Sequence, residues 1–166
     1  MVHSDGCQPF GHSDVRCLLV FGHFYPAPSS EEVAAGRDEG ADDPWLLGIM
    51  DNWQKADGWT GSGQPTVADC ENVLADAARA VTEHLGAGPE RTVASSPSIA
   101  AGSPLPHRIW RTPTHALILG PLSDHGPYGY LTHLALVHAP LDQNAPLPDA
   151  DDTEGLIRWI VTHADW

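Results

Sequence analysis

Ten histidines are the residues in this sequence best able to do chemistry. An imidazole ligates metals and changes charge near neutral pH. Four donors that suit zinc, Cys7, His12, Cys17 and His23, fall in one N-terminal stretch. Zinc takes four such ligands in a tetrahedron, and structural sites present close ligand pairs. Here the intervening gaps are four, four and five residues, without a Cys-x-x-Cys pair. Cys17 and His23 also fall on one face of a strand-like run, but far apart. Buried thiols and surface imidazoles account for the set, and no metal or cofactor is expected. His133 and His138 are an odd number of residues apart. In a regular strand they point to opposite faces and cannot share an ion.

A denser group of hydrogen-bonding side chains follows residue 120. Gly120-Pro121-Leu122-Ser123-Asp124-His125-Gly126-Pro127-Tyr128-Gly129 is rich in turn residues. Asp124, His125 and Tyr128 are its binding candidates. Adjacency of Asp124 and His125 does not orient one against the other, as a catalytic pair requires. The plainer account is an exposed turn, where Asp and Gly are enriched for conformational reasons. Trp59 is a further candidate, since it stands in a Gly-rich loop where a large ring has little core to enter. Most of the tryptophans read as packing residues, because each buries a large apolar surface. Asp42 and Asp43 close an acidic run over residues 29–43 and are candidates for contact with a basic surface.

Common catalytic signatures are missing. The sequence holds no Gly-x-Ser-x-Gly elbow, no phosphate loop, no His-Glu-x-x-His and no dinucleotide-binding glycine fingerprint. It also lacks the zinc-deaminase pattern.

The formal net charge is −14, with one Lys (Lys55) and seven Arg. Such a field repels phosphate backbones and anionic lipid surfaces, so neither nucleic acid nor a membrane is an expected partner. A basic protein is the partner it would favour, although charge of this size also serves solubility. No run approaches the roughly 18 apolar residues that span a bilayer. Asp5 and Asp14 precede the first base, Arg16, where a signal peptide would be basic. Three irregularly spaced cysteines suit a reducing compartment better than a disulfide framework. The expected location is the cytoplasm. Arg in place of Lys, with abundant Ala, Gly and Pro, is associated with bacterial coding bias.

These residues must be positioned by a few elements. The 166 residues suit one domain, 1–166, with a loose segment at 1–15. The run from Cys17 to Tyr25 is apolar on both alternating faces and reads as a central strand. Pro44 after Asp43 marks a helix start near residues 44–53. The clearest element is a helix over Val67–Leu85, with Thr66 as N-cap, Asp69 completing a short capping box and Gly86 ending it. Val67, Cys70, Val73, Leu74, Val81 and Leu85 form its apolar stripe. A short strand near Thr92–Ala94 follows. One strand is expected over about His107–Leu119, disturbed at Pro113 by a bulge or an edge position. A second spans Tyr130–Ala139 and pairs with it as a hairpin. A last helix starts near Asp152 or Thr153.

The expected class is α+β: a small antiparallel or mixed sheet of three to five strands with helices packed mainly on one face. Two functions fit. One is a non-catalytic protein-binding module, in concrete form an immunity-type inhibitor of a basic toxin. The alternative is a small hydrolase-like enzyme with dispersed His, Asp and Tyr groups near the 120–130 loop.

Overall fold

The structure is a computed structural model that describes residues 17–24, 66–96, 99–100, 103, 105–123 and 132–164. For 17–24, 123 and 132–133 it describes the backbone alone. The elements run β1 (Cys17–Phe24), α1 (Val67–Leu85), β2 (Arg91–Val93), β3 (His107–Arg111), β4 (His115–Ser123), β5 (Thr132–Pro140) and α2 (Thr153–Ala164). The strands form one antiparallel sheet in the order β1-β5-β4-β3-β2. This is a small α+β fold, as expected.

Helix α1 begins where local chemistry starts it. The Thr66 hydroxyl accepts the Asp69 amide at 3.2 Å, and the Asp69 carboxylate accepts the Thr66 amide at 2.8 Å. The Thr66 amide, and after it the Thr66 hydroxyl, which donates to the same carboxylate at 2.8 Å, hold the Asp69 carboxyl below its ordinary range. Gly86 closes the helix with φ 69°, a left-handed conformation that costs glycine little. Cys70 and Leu74 are buried; Val73, Val81 and Leu85 pack partly covered beside them, while Val67 is exposed. Helix α2 starts at Thr153 behind Asp152. The Asp152 carboxylate accepts the Gly155 amide at 2.8 Å, which is N-cap geometry.

Three expectations change. The run expected as one strand over His107–Leu119 is two strands, β3 and β4, folded back on each other. Arg111 is opposite Ala116, and Arg108 opposite Leu119. Pro113 lies in the turn between them, a position its fixed φ favours and where no ladder amide is needed. The Thr112 amide donates to the His115 carbonyl at 2.8 Å, and the Thr112 hydroxyl accepts the His115 amide at 2.9 Å. The pairing of this region with the 130–139 strand is as expected: β4 and β5 run from His115 opposite Pro140 to Ser123 opposite Thr132.

The second change concerns β1, expected to be central. Among the described residues it pairs with β5 alone and ends the sheet. A register shift between Val20 and Gly22 places Cys17 opposite His138 and His23 opposite His133. Six steps along β1 thus match five along β5, and Cys17 and His23 no longer share one parity of the ladder.

The third change is the placing of the helices. They lie on opposite faces of the sheet, not mainly on one. Leu74 and Cys70 of α1 pack with Trp110, Leu119 and Leu134. Leu156, Trp159 and Ile160 of α2 pack with Ile109, Ile118, Ala135 and Val137. The reason is in β4 and β5, where consecutive residues such as Ile118-Leu119 and Leu134-Ala135 are all buried. A sheet apolar on both faces needs a cover on each.

Candidate functional site

All six residues singled out as site candidates lie outside the described residues. Asp124, His125 and Tyr128 belong to the connection between β4 and β5, whose ends meet at the opposed pair Ser123 and Thr132. Trp59, Asp42 and Asp43 precede α1.

The structure does build a charged feature at the start of α2. Asp149, Asp151, Asp152 and Glu154 are all exposed within six residues. No Lys or Arg occurs between Arg111 and Arg158 in the sequence. The turn is held by its own backbone: the Asp152 amide donates to the Asp149 carbonyl at 3.1 Å, and the Thr153 amide to the Asp151 carbonyl at 3.0 Å. Arg91 of β2 anchors the preceding residue, donating from Nε to the Pro148 carbonyl at 3.0 Å. The acidic side chains are therefore presented from a fixed backbone. Arg158 reaches Glu154 at 3.2 Å across one helical turn, and both side chains are exposed.

The histidines divide by environment. His163 of α2 is buried with both nitrogens engaged. Its Nδ1 donates to the Trp159 carbonyl at 2.8 Å, while Nε2 accepts the Asp142 amide at 3.3 Å. A carbonyl cannot donate and an amide cannot accept, so the ring is the neutral Nδ1–H tautomer. It stacks on the Trp159 ring at 3.8 Å, and Trp159 Nε1 donates to the Ala145 carbonyl at 2.8 Å. Together these bonds pin the 141–148 segment to α2.

His107 of β3 is also buried. Its Nε2 donates to the Pro121 carbonyl at 2.7 Å, which leaves Nδ1 as a lone pair without a partner. Burial pushes its pKa down to about 4, against a smaller upward pull from the Pro121 bond. This ring is neutral at pH 7 and is held by the fold.

His115 and His138 form a pair invisible in the linear order. Their rings stack at 4.2 Å with 12° between planes. His115 Nδ1 is hydrogen-bonded to the Thr114 hydroxyl at 2.8 Å. Burial lowers the His138 pKa, and the neighbouring His115 lowers it further. His133 is opposite Leu122 and His138 opposite Leu117, an odd offset that keeps the two at different parity as expected. Among the described residues, no three His, Cys, Asp or Glu side chains are grouped to hold a metal ion. Cys70 is a free, buried thiol whose pKa is raised by burial. No described helix is long and apolar enough to cross a membrane.

Sequence reasoning missed a feature on β3. Among the described residues, four enclosed side-chain polar atoms have no hydrogen-bond partner, and three of them belong to this strand: His107 Nδ1, Arg108 Nη1 and Trp110 Nε1. The signal was present in Arg108-x-Trp110, a spacing of two that shares one face of a strand. It became legible only once 107–111 was a strand in its own right.

No protein-family model, curated protein or solved structure matches this chain.

Proposed function

We propose that this chain is a non-catalytic binding module of the bacterial cytosol that engages a basic protein through its acidic surface, in the manner of an immunity-type inhibitor of a basic toxin. One observation carries the reading: the turn at 149–152 holds exposed carboxylates on a hydrogen-bonded backbone, ahead of Glu154 in the first turn of α2. A pre-ordered charged surface loses little conformational freedom on binding, which favours affinity. The net charge of −14 adds a long-range field that would steer a cationic partner toward it. Among the described residues, the two buried histidines support the same reading, since His107 Nε2 and both nitrogens of His163 are engaged by backbone groups.

The test is association kinetics with a basic protein captured from the source organism. The on-rate should fall as salt rises, because the screening length shrinks from roughly 30 Å at 0.01 M to roughly 8 Å at 0.15 M. The double substitution Asp149→Asn, Asp151→Asn should lower the on-rate further and leave the melting temperature nearly unchanged. An on-rate indifferent to salt and to both substitutions would reject acidic steering.

A further inference from the structure

We propose that Arg108 and Trp110 of β3 form a binding site for a carboxylate group. Arg79 pairs with Asp76 at 2.7 Å, Arg111 with Glu90 at 2.6 Å and Arg158 with Glu154 at 3.2 Å. Arg91 donates to the carbonyls of Pro148 and Glu90. Arg108 alone among the described arginines has no acceptor, although it is half-buried and its Nη1 is enclosed. A guanidinium is always charged and acts only as a donor. Enclosing part of it without a counter-charge is costly, more so than for any neutral group.

The neighbours explain why the charge is unmet. The residues opposite Arg108 are Thr92 on β2 and Leu119 on β4, and neither is acidic. Two positions along the strand, on the same face, Trp110 is 1% exposed and its indole N–H is likewise without an acceptor. Leu119 and Trp110 both belong to the core under α1, which fixes that face. A buried indole N–H ordinarily finds a partner. Two donors lacking acceptors at i and i+2 of one strand call for a ligand that only accepts. Thr92 is exposed beside Arg108, so this end of the face opens to solvent.

A carboxylate fits this donor set. It is planar, takes paired bonds from a guanidinium, and can pass one oxygen lone pair to a second donor. A phosphate would carry more negative charge into the field of a chain at −14, which favours the monoanion. The site lies on the α1 face of the sheet, apart from the acidic turn at α2, and does not depend on the binding role proposed for that turn.

The experiment follows the indole N–H cross-peak of Trp110 in the full chain, assigned with Trp110→Phe. Sodium acetate is titrated at pH 7 against sodium chloride and sodium phosphate at matched ionic strength. A saturable shift with acetate, not produced by chloride and stronger than with phosphate, is the expected result. Arg108→Gln should weaken acetate binding about tenfold or more, as loss of a charged hydrogen-bond partner does. Arg79→Gln, which removes an exposed paired arginine, should leave it unchanged. The wild-type titration stands even if Arg108→Gln unfolds. No saturable acetate shift, an equal shift with chloride, or tighter binding of phosphate would each overturn the proposal.

Discussion

His107 of β3 packs against Gly120 of β4 so closely that a methyl group at Gly120 would stand 2.5 Å from His107 Cδ2 and 3.1 Å from its Cα. A side-chain ring can turn a little to make room, but the Cα belongs to a paired strand and cannot swing aside. Gly120→Ala should therefore cost about 1–3 kcal/mol, the usual penalty of overpacking a filled interior. Gly88→Ala, with nothing within 4 Å of the added carbon, is the comparison and should stay within about 0.5 kcal/mol. Urea denaturation of both variants measures the difference.

The same histidine makes stability depend on pH. In the folded chain its imidazole stays neutral down to about pH 4, whereas the ordinary value is 6.5. Between those values the unfolded chain binds the extra proton, so stability rises with pH. The contribution is complete above the unfolded value and is lost as pH falls toward the folded one. At about 1.4 kcal/mol per pH unit, that gap amounts to about 3 kcal/mol. Other groups titrate in the same range, so the measurement is a comparison with His107→Phe. The wild-type loss of unfolding free energy between pH 7 and pH 4 should exceed that of the variant by about 3 kcal/mol. Parallel profiles would mean that the ring is not held neutral.

At the start of α2, neighbouring aspartates should behave differently. Asp152 caps the helix through the Gly155 amide, while Asp149 and Asp151 offer their side chains to solvent. Asp152→Ala should cost about 0.5–2 kcal/mol, as loss of an N-cap does. Asp149→Asn and Asp151→Asn should each stay within about 0.5 kcal/mol. Gly155→Ala should also destabilise, because a Cβ there runs into the Asp152 carboxylate. Thermal melts of the four variants separate the cap from the presented charges.

In α1 the contrast is between Leu74, fully buried, and Asp76, exposed in its pair with Arg79. Leu74→Ala should cost about 2–5 kcal/mol. Asp76→Ala should lose no more than about 0.5 kcal/mol, the worth of an i,i+3 pair. Equal losses in a denaturant titration would contradict the face assigned to this helix.

Helix α1 shows what local sequence can determine. Its cap, capping box, apolar stripe and terminal glycine each depend on relations between residues no more than about four positions apart. The sequence alone therefore placed both ends at Thr66 and Gly86. Helix α2 and the pairing of β4 with β5 were legible for similar reasons: a helix-start signal at Asp152, and two apolar runs flanking a turn-rich segment. The α+β class followed from those elements.

Tertiary structure decided what depends on contacts between distant residues. Pro113 announced a break in the ladder, but not whether the chain would bulge or reverse. The reversal is decided by the fit of Ile109 against Ile118 and of both beneath α2. The apolar run of β1 matched a central strand, yet its place at the end of the order depends on which neighbours pair. The same holds for the helices, since an apolar stripe shows that a face is covered but not which face covers it. The stacked pair of His115 and His138 exists only because β4 and β5 are in register. Arg108 was an unremarkable base in the chain. It is distinctive in the fold because both strands beside it offer no carboxylate, and an unmet charge is a property of surroundings that linear order does not contain.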